Sequence, residues 1–127
     1  MSAPLYLAAL LPFSVVMVES SDEIYAACNV VNYSNGSQFD TNVEALLKNL
    51  TEKAAYIGFG ASVYGLETSS HVSGHLQCRG DLSPADCGAR STEAMKVVHY
   101  NCPNAIGSRV QLEHSFLRYE NYTFISD

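Results

Sequence analysis

A stretch of ten residues, from Cys78 to Cys87, constrains the fold more than any other part of the chain. Two cysteines nine positions apart can close a short covalent loop. Within the loop, Ser83 and Pro84 suit the N-cap and the first position of a helix, and Asp86 then stands in the first turn, where the helix dipole stabilises a carboxylate. The stretch therefore predicts a turn that leads from the end of a strand into a helix beginning at Pro84.

The beginning of the chain carries a predicted secretory leader. Residues 5–18 form an apolar run that one proline and one serine interrupt. The run is too short to span a bilayer but has the length of the central region of a signal peptide, with cleavage expected after Ser20. We expect a signal peptide over residues 1–20 and a single domain over residues 21–127, with no stable membrane insertion of the mature chain.

Cysteines and glycosylation sequons agree with export. Four cysteines remain after the expected cleavage, an even number that is typical of small secreted proteins held by disulfides. They allow three pairings, and their spacing alone does not choose among these. Four Asn-x-Ser/Thr sequons favour a secreted glycoprotein. The cysteines are Cys28, Cys78, Cys87 and Cys102, and the sequon asparagines are Asn32, Asn35, Asn49 and Asn121.

The charge of the chain argues against two classes of partner. The formal net charge is −6 at pH 7. An acidic domain is repelled by the phosphates of nucleic acids and by anionic membranes, so neither is an expected partner.

The first predicted helix runs from Thr41 to about Ile57. Thr41 and Glu44 have the spacing of a capping box, and Gly58 and Gly60 are predicted to end the helix. Apolar residues recur at helical spacing and should form its buried face. They are Val43, Leu46, Leu47, Leu50, Ala54 and Ile57.

The second predicted helix runs from Pro84 to about Tyr100. Pro103 follows its end and cannot continue a helix. Its expected buried residues are Cys87, Ala94, Met95, Val97 and Val98.

The strands are predicted from alternating apolar and polar residues. Residues 59–66 and 71–78 form two strands separated by a polar loop, and residues 109–112 and 116–119 form a terminal hairpin. Helices and antiparallel strands in this order predict an α+β domain with two helices packed on one face of a sheet.

The residue types offer no catalytic constellation. The four histidines, His71, His75, His99 and His114, lack the spacing of metal ligands. Ser83 and Ser115 lack the glycines of a nucleophile elbow. We therefore expect no enzyme, no catalytic residue, no metal site and no cofactor. The tripeptide from Arg79 to Asp81 has the sequence of an integrin-binding motif. We interpret it instead as part of the turn that leads into the second helix.

Several segments together resemble one plant family. They are Cys78-Arg79-Gly80-Asp81 with Cys87, Cys102-Pro103-Asn104-Ala105-Ile106-Gly107, Arg109-Val110-Gln111-Leu112 and Leu117-Arg118-Tyr119-Glu120. They are similar to the ginkbilobin-like domain, also called the stress-antifungal or cysteine-rich secretory repeat domain, over residues 24–127. The resemblance implies two helices on a five-stranded antiparallel sheet in a protein secreted to the apoplast. This domain occurs alone in antifungal lectins and in pairs in plasmodesmata-located proteins and cysteine-rich receptor-like kinases.

The chain departs from the family at two positions. The family has six cysteines, and Arg90 and Ser115 stand where two of them would pair with each other. The resemblance therefore implies that one complete bridge is missing. It also implies that the remaining cysteines pair as Cys28 with Cys102 and Cys78 with Cys87.

The resemblance also implies a sugar site. In the antifungal lectins of the family an asparagine after the first cysteine, an arginine and a glutamate bind mannose. The matching residues here are Asn29, Arg109 and Glu120. Their amide, guanidinium and carboxylate groups suit a sugar edge, since together they donate and accept hydrogen bonds. Whether Arg109 and Glu120 are directly opposed or diagonal stays open at this point.

Two functions follow from the resemblance. The first is a secreted, mannose-binding antifungal or defence lectin whose partners are mannose or mannan-type glycans. The alternative is a non-catalytic apoplastic module that binds receptor-like ectodomains through its sheet face.

Overall fold

The computed structural model describes residues 23–124, so the predicted leader over residues 1–20 lies outside the described residues. Two helices lie against a five-stranded antiparallel sheet, which confirms the predicted α+β class. The strands are β1 (Glu23–Cys28), β2 (Phe59–Tyr64), β3 (Val72–Cys78), β4 (Ser108–Leu112) and β5 (Ser115–Glu120), and the helices are α1 (Gln38–Ile57) and α2 (Pro84–Asn101).

The strand order in the sheet is β1-β4-β5-β3-β2, and every neighbouring pair is antiparallel. The predicted terminal hairpin is β4–β5, and it lies in the middle of the sheet. The pattern of residues did not predict β1, because its sequence lacks a clean alternation of apolar and polar residues. Only the family resemblance, which implies five strands, predicted this strand. It pairs with β4 and thereby brings the residues after Cys28 beside the residues before Ser108.

Helix α1 begins three residues before the predicted start, so the predicted capping box is wrong. Ser37 is the N-cap, and its Oγ accepts a hydrogen bond from the backbone N–H of Asp40 at 3.2 Å. The Asp40 carboxylate in turn accepts from the N–H of Gly36 at 2.8 Å. Glu44 is not part of a cap and instead lies 2.9 Å from Nε2 of His99 on α2. With the earlier start, Phe39 lies in the first turn of α1, and its side chain is buried.

The other end of α1 agrees in part with the prediction. Gly58 is the C-cap with φ 84°, and its N–H donates to the carbonyl of Ala54 at 2.7 Å. Gly60 does not end the helix but lies in β2, and Ile57 is 68% exposed rather than buried. The other predicted apolar residues of α1 are buried. They form the core with residues of α2 and of the inner sheet face, including Leu46, Leu47, Leu50, Ala94, Val98, Leu76, Val110, Leu117 and Tyr119.

Helix α2 begins as predicted. Ser83 is its N-cap and accepts from the N–H of Asp86 at 3.1 Å, and Pro84 is the first helical residue. The expected buried residues of α2 are buried except Met95, which is only partly covered. Ser91 is buried as well and was not predicted.

Two disulfides pair the cysteines as the resemblance implies. Cys28 is bonded to Cys102 and Cys78 to Cys87. Ser115, at the position of a missing cysteine, is buried and directly opposite Cys78 in the sheet. Arg90 stands three residues after Cys87 on α2 and pairs with Glu93 at 3.1 Å. One disulfide therefore connects β3 to α2, and the other connects β1 to Cys102, the residue that caps the end of α2.

Candidate functional site

The three residues that the resemblance marks as a sugar site line one cavity. It has a volume of about 210 Å³ and lies where the end of β1 meets the beginning of β4 and the end of β5. The structure thus brings together residues that are far apart in the sequence. The lining residues are Ala27, Cys28, Asn29, Gly107, Ser108, Arg109 and Glu120.

Asn29 directly follows β1 and is positioned by its neighbours. Its backbone N–H donates to the carbonyl of Gly107 at 2.9 Å, which extends the pairing of β1 with β4 by one bond. Its side-chain Oδ1 accepts from the N–H of Val31 at 2.9 Å. Cys28 is tied to Cys102 next to it. Because Oδ1 already accepts a hydrogen bond from a backbone N–H, the side-chain Nδ2 remains as a donor for a ligand.

Arg109 and Glu120 are diagonal neighbours across the β4–β5 ladder. Arg109 is directly opposite Arg118, and Glu120 lies two positions further along β5 on the same face. Arg109 Nε donates to Glu120 Oε2 at 3.3 Å. The Glu120 side chain is only 8% exposed, whereas that of Arg109 is 50% exposed. The carboxylate is therefore buried and paired, while half of the guanidinium faces solvent and the cavity.

Arg118 is a second partner of Glu120 that the sequence analysis missed. Its Nε donates to the same oxygen, Oε2, at 2.8 Å, and its side chain is 22% exposed. Burial alone would lower the pKa of Arg118, but its bonds to Glu120 and Tyr122 raise it. The alternation of β5 carried a signal for this contact, because residues two positions apart in a strand share one face.

Gly107 is a second residue that the analysis missed. A Cβ at this position would collide with Glu120 Oε1. Any other residue before β4 would therefore displace the Glu120 carboxylate from the backbone. The sequence analysis missed this contact because it depends on the register of the β4–β5 hairpin.

Beside the cavity, the outer face of the sheet carries an aromatic cluster. His75 lies between the rings of Phe59, Phe116 and Phe124 at centroid distances of 6.5, 5.6 and 5.5 Å. Burial lowers the pKa of His75, and the nearby Arg118 guanidinium lowers it further. Both effects favour the neutral form of the imidazole.

Within the tripeptide from Arg79 to Asp81, the two charged side chains form an ion pair with each other. Arg79 Nε and Nη2 donate to the two carboxylate oxygens of Asp81 at 3.0 and 2.8 Å. The hydrogen bonds from Arg79 lower the pKa of the Asp81 carboxyl, although partial burial works against this. The two charged groups of the apparent motif thus neutralise each other within the turn before α2.

The four sequon asparagines lie in different environments. Asn32, Asn35 and Asn121 are exposed on loops, and Asn35 Oδ1 accepts from Asn104 Nδ2 at 2.6 Å. Asn49 is half-buried on α1, and its Oδ1 accepts from the hydroxyl of Ser62 on β2.

Across residues 23–124 no group of three or more histidine, cysteine or acidic side chains could hold a metal ion. Neither α1 nor α2, the two helices in that range, is long and apolar enough to cross a bilayer.

The family described as "Salt stress response/antifungal" matches residues 27–122, a range that includes every residue of the cavity. The chain belongs to this family. Its relatives include antifungal protein ginkbilobin-like protein 1 of Picea sitchensis, which is 34% identical over 117 residues, 91% of this chain and 88% of that protein. Antifungal protein ginkbilobin-2 of Ginkgo biloba is 30% identical and matches 91% of this chain and 90% of that protein.

Other relatives are longer. Plasmodesmata-located protein 7 of Arabidopsis thaliana is 30% identical over 80% of this chain, but the match spans only 35% of that protein. The solved tandem DUF26 ectodomain of the Arabidopsis thaliana cysteine-rich receptor-like protein PDLP8 has a TM-score of 0.78 and 31% identity, with 81% of this chain and 50% of that chain covered. The chain therefore spans about a third of the first protein and about half of the second structure.

Proposed function

We propose that this family member is a secreted defence protein of the antifungal, mannose-binding lectin type. The observation that carries the proposal is that Asn29, Arg109 and Glu120 line the same cavity. The proposal includes a signal peptide over residues 1–20, an apoplastic location and N-glycans on the exposed sequons. The relatives support the extracellular and defence parts of it, since their names are those of antifungal and secretory proteins.

The three side chains offer complementary groups to a sugar. Glu120 accepts hydrogen bonds from vicinal hydroxyls, Arg109 donates to ring or hydroxyl oxygens, and Asn29 donates through Nδ2. The carboxylate is already desolvated and paired, so a sugar can bind without burying a new charge. The cavity is shallow, so we expect a monosaccharide to bind near the millimolar range, about −4 kcal/mol. Polymeric mannan should bind more tightly through multivalency.

Glycan-array binding and mannose titration test the proposal. We expect wild type to bind mannan and Glu120→Gln to lose at least about tenfold in affinity, because removing one charged acceptor costs about 1.5–3 kcal/mol. Glu113→Gln is the matched control, since Glu113 is an exposed glutamate in the β4–β5 turn that does not line the cavity. Equal binding by wild type and both variants would reject the site, and no mannan binding by wild type would reject the lectin function.

A second candidate function is a protein-interaction module for receptor-like ectodomains. One specific observation favours it, an exposed apolar patch at the end of α1 and the start of β2. Tyr56, Ile57 and Phe59 are 84%, 68% and 43% exposed there. Contiguous exposed apolar residues often mark protein contacts. Capture of a receptor-like ectodomain by wild type, abolished in Tyr56→Ser with Ile57→Ser and accompanied by no glycan signal, would favour this function over the first.

A further inference from the structure

Glu120 is held by two arginines that differ in their relation to the cavity. Arg109 lines it and is half exposed, whereas Arg118 does not line it and is mostly buried. Both arginines donate to Oε2. The other oxygen, Oε1, lies against Gly107, which has no side chain to cover it. Because both arginines bond to Oε2, Oε1 is the oxygen that remains to accept a hydrogen bond from a ligand hydroxyl.

Arg118 is itself held by the residues that follow β5, which we name the C-terminal segment (residues 121–124). Arg118 Nη2 donates to the hydroxyl of Tyr122 at 3.1 Å, and the guanidinium carbon Cζ lies 3.9 Å from the centroid of the Phe124 ring. A guanidinium stacked on an aromatic ring at this distance gains a cation–π attraction. Arg118 is thus fixed on three sides, by Glu120, Tyr122 and Phe124.

The C-terminal segment is in turn attached to the sheet. The hydroxyl of Ser73 on β3 donates to the carbonyl of Tyr122 at 2.7 Å, and the Thr123 hydroxyl lies 2.9 Å from Nε2 of His71. These contacts connect the end of β5 to β3, on the side of Glu120 opposite to the cavity. The segment therefore supports Arg118 from behind the site without lining it.

We propose that Arg118 is a positioning residue for sugar binding, and that the C-terminal segment holds it on Glu120 so that the carboxylate keeps its orientation in the site. This inference rests on the proposed function, because it assigns a role within the same site. Arg109 alone would not hold the Glu120 carboxylate in place, since Arg109 is half exposed and its bond to Glu120 is the longer of the two.

Two arginines on neighbouring strands orient the Glu120 carboxylate. Arg109 bonds to Oε2 from β4, and Arg118 bonds to it from β5. Without Arg118, only the longer bond to the half-exposed Arg109 would hold the carboxylate. Sugar binding would then carry the entropic cost of ordering this side chain.

Mannose titrations of wild type and Arg118→Gln test the inference. We expect Arg118→Gln to lose about tenfold or more in affinity, because one of the two charged donors that orient Glu120 is removed. Arg79→Gln is the matched control, since Arg79 also bonds through Nε to a carboxylate two residues later, far from the cavity. Arg118→Lys, which keeps the charge, should recover most of the affinity.

Unchanged affinity in Arg118→Gln, or no recovery in Arg118→Lys, would overturn the inference. If Arg118→Gln fails to fold, Phe124→Leu gives the same test with a smaller loss of affinity. The carbon chemical shift of the Glu120 carboxyl, measured by NMR in sugar-free wild type and Arg118→Gln, keeps this inference separate from the lectin proposal. If wild type binds no mannose, the proposed function fails, while an equal chemical shift in the two proteins would overturn the role of Arg118.

Discussion

Ser115 stands at one end of the disulfide bridge that, according to the family resemblance, is missing from this chain. It is 4% exposed, and its Oγ has no hydrogen-bond partner among the described residues. A buried hydroxyl without a partner costs about 1–3 kcal/mol. We expect Ser115→Ala to raise the free energy of unfolding by up to about 1 kcal/mol, because it removes this cost and the backbone carbonyl still accepts from Gln111. Thermal and urea unfolding measure the change.

A buried serine with a partner provides the control for this prediction. The Ser73 hydroxyl donates to the Tyr122 carbonyl at 2.7 Å and is fully buried. Ser73→Ala should therefore lower the stability, whereas Ser115→Ala should not. If both variants are destabilised equally, the Ser115 hydroxyl has a partner in solution and our interpretation is wrong.

At the scale of elements, the missing bridge would join α2 to β5. Ser115 is opposite Cys78, and Cys78 is bonded to Cys87, which lies one helical turn before Arg90. We therefore expect Arg90→Cys with Ser115→Cys to form a disulfide and to stabilise the domain. The chain-entropy relation gives roughly 3.5 kcal/mol for a loop of this length, and engineered bridges often give less.

Mass spectrometry and thermal melts under oxidising and reducing conditions check this link. The ion pair of Arg90 with Glu93 is partly exposed, so losing it should cost little and should not hide the gain. The single variant Arg90→Cys controls for that loss. Two unreacted thiols in the folded double variant would show that positions 90 and 115 are not neighbours.

For the whole molecule, the two native disulfides should contribute unequally. Cys28–Cys102 closes a separation of 74 residues and Cys78–Cys87 one of 9. On the chain-entropy model these loops are worth about 4.5 and about 2.7 kcal/mol. We expect replacement of Cys28 and Cys102 by alanine to destabilise the domain more than replacement of Cys78 and Cys87.

The long bridge should also affect the site, because Asn29 follows Cys28 directly. Sugar affinity should therefore fall in the variant without Cys28–Cys102 and stay near wild type in the variant without Cys78–Cys87. Urea unfolding and mannose titration of both variants, at temperatures where each is folded, measure the two effects. Equal losses of affinity would mean that the bridge does not position Asn29.

The sequence by itself determined the features that depend on local chemistry. The start of α2 at Pro84 follows from its cap, and the end of α1 at Gly58 follows from a residue free to adopt positive φ. Periodicity predicted the buried face of α1 and the terminal hairpin. The α1 start was wrong because two serine or threonine caps were available. Ser37 is the cap in the structure, where it bonds to the N–H of Asp40 three residues on, and the earlier start also places Phe39 in the core.

Part of the candidate site was likewise predicted from the sequence, and part became visible only in the tertiary structure. Family resemblance identified Asn29, Arg109 and Glu120, but only the tertiary structure decided that the latter two are diagonal neighbours. It also placed Arg118 on the same carboxylate oxygen and Gly107 against the other one. The contacts of Glu120 with Arg109 and Gly107 lie within the β4–β5 hairpin and depend on its register, whereas the position of Asn29 depends on the pairing of β4 with the distant β1. A one-residue change of register would move every side chain of a strand to the opposite face, and the short alternating runs did not fix the register to within one residue.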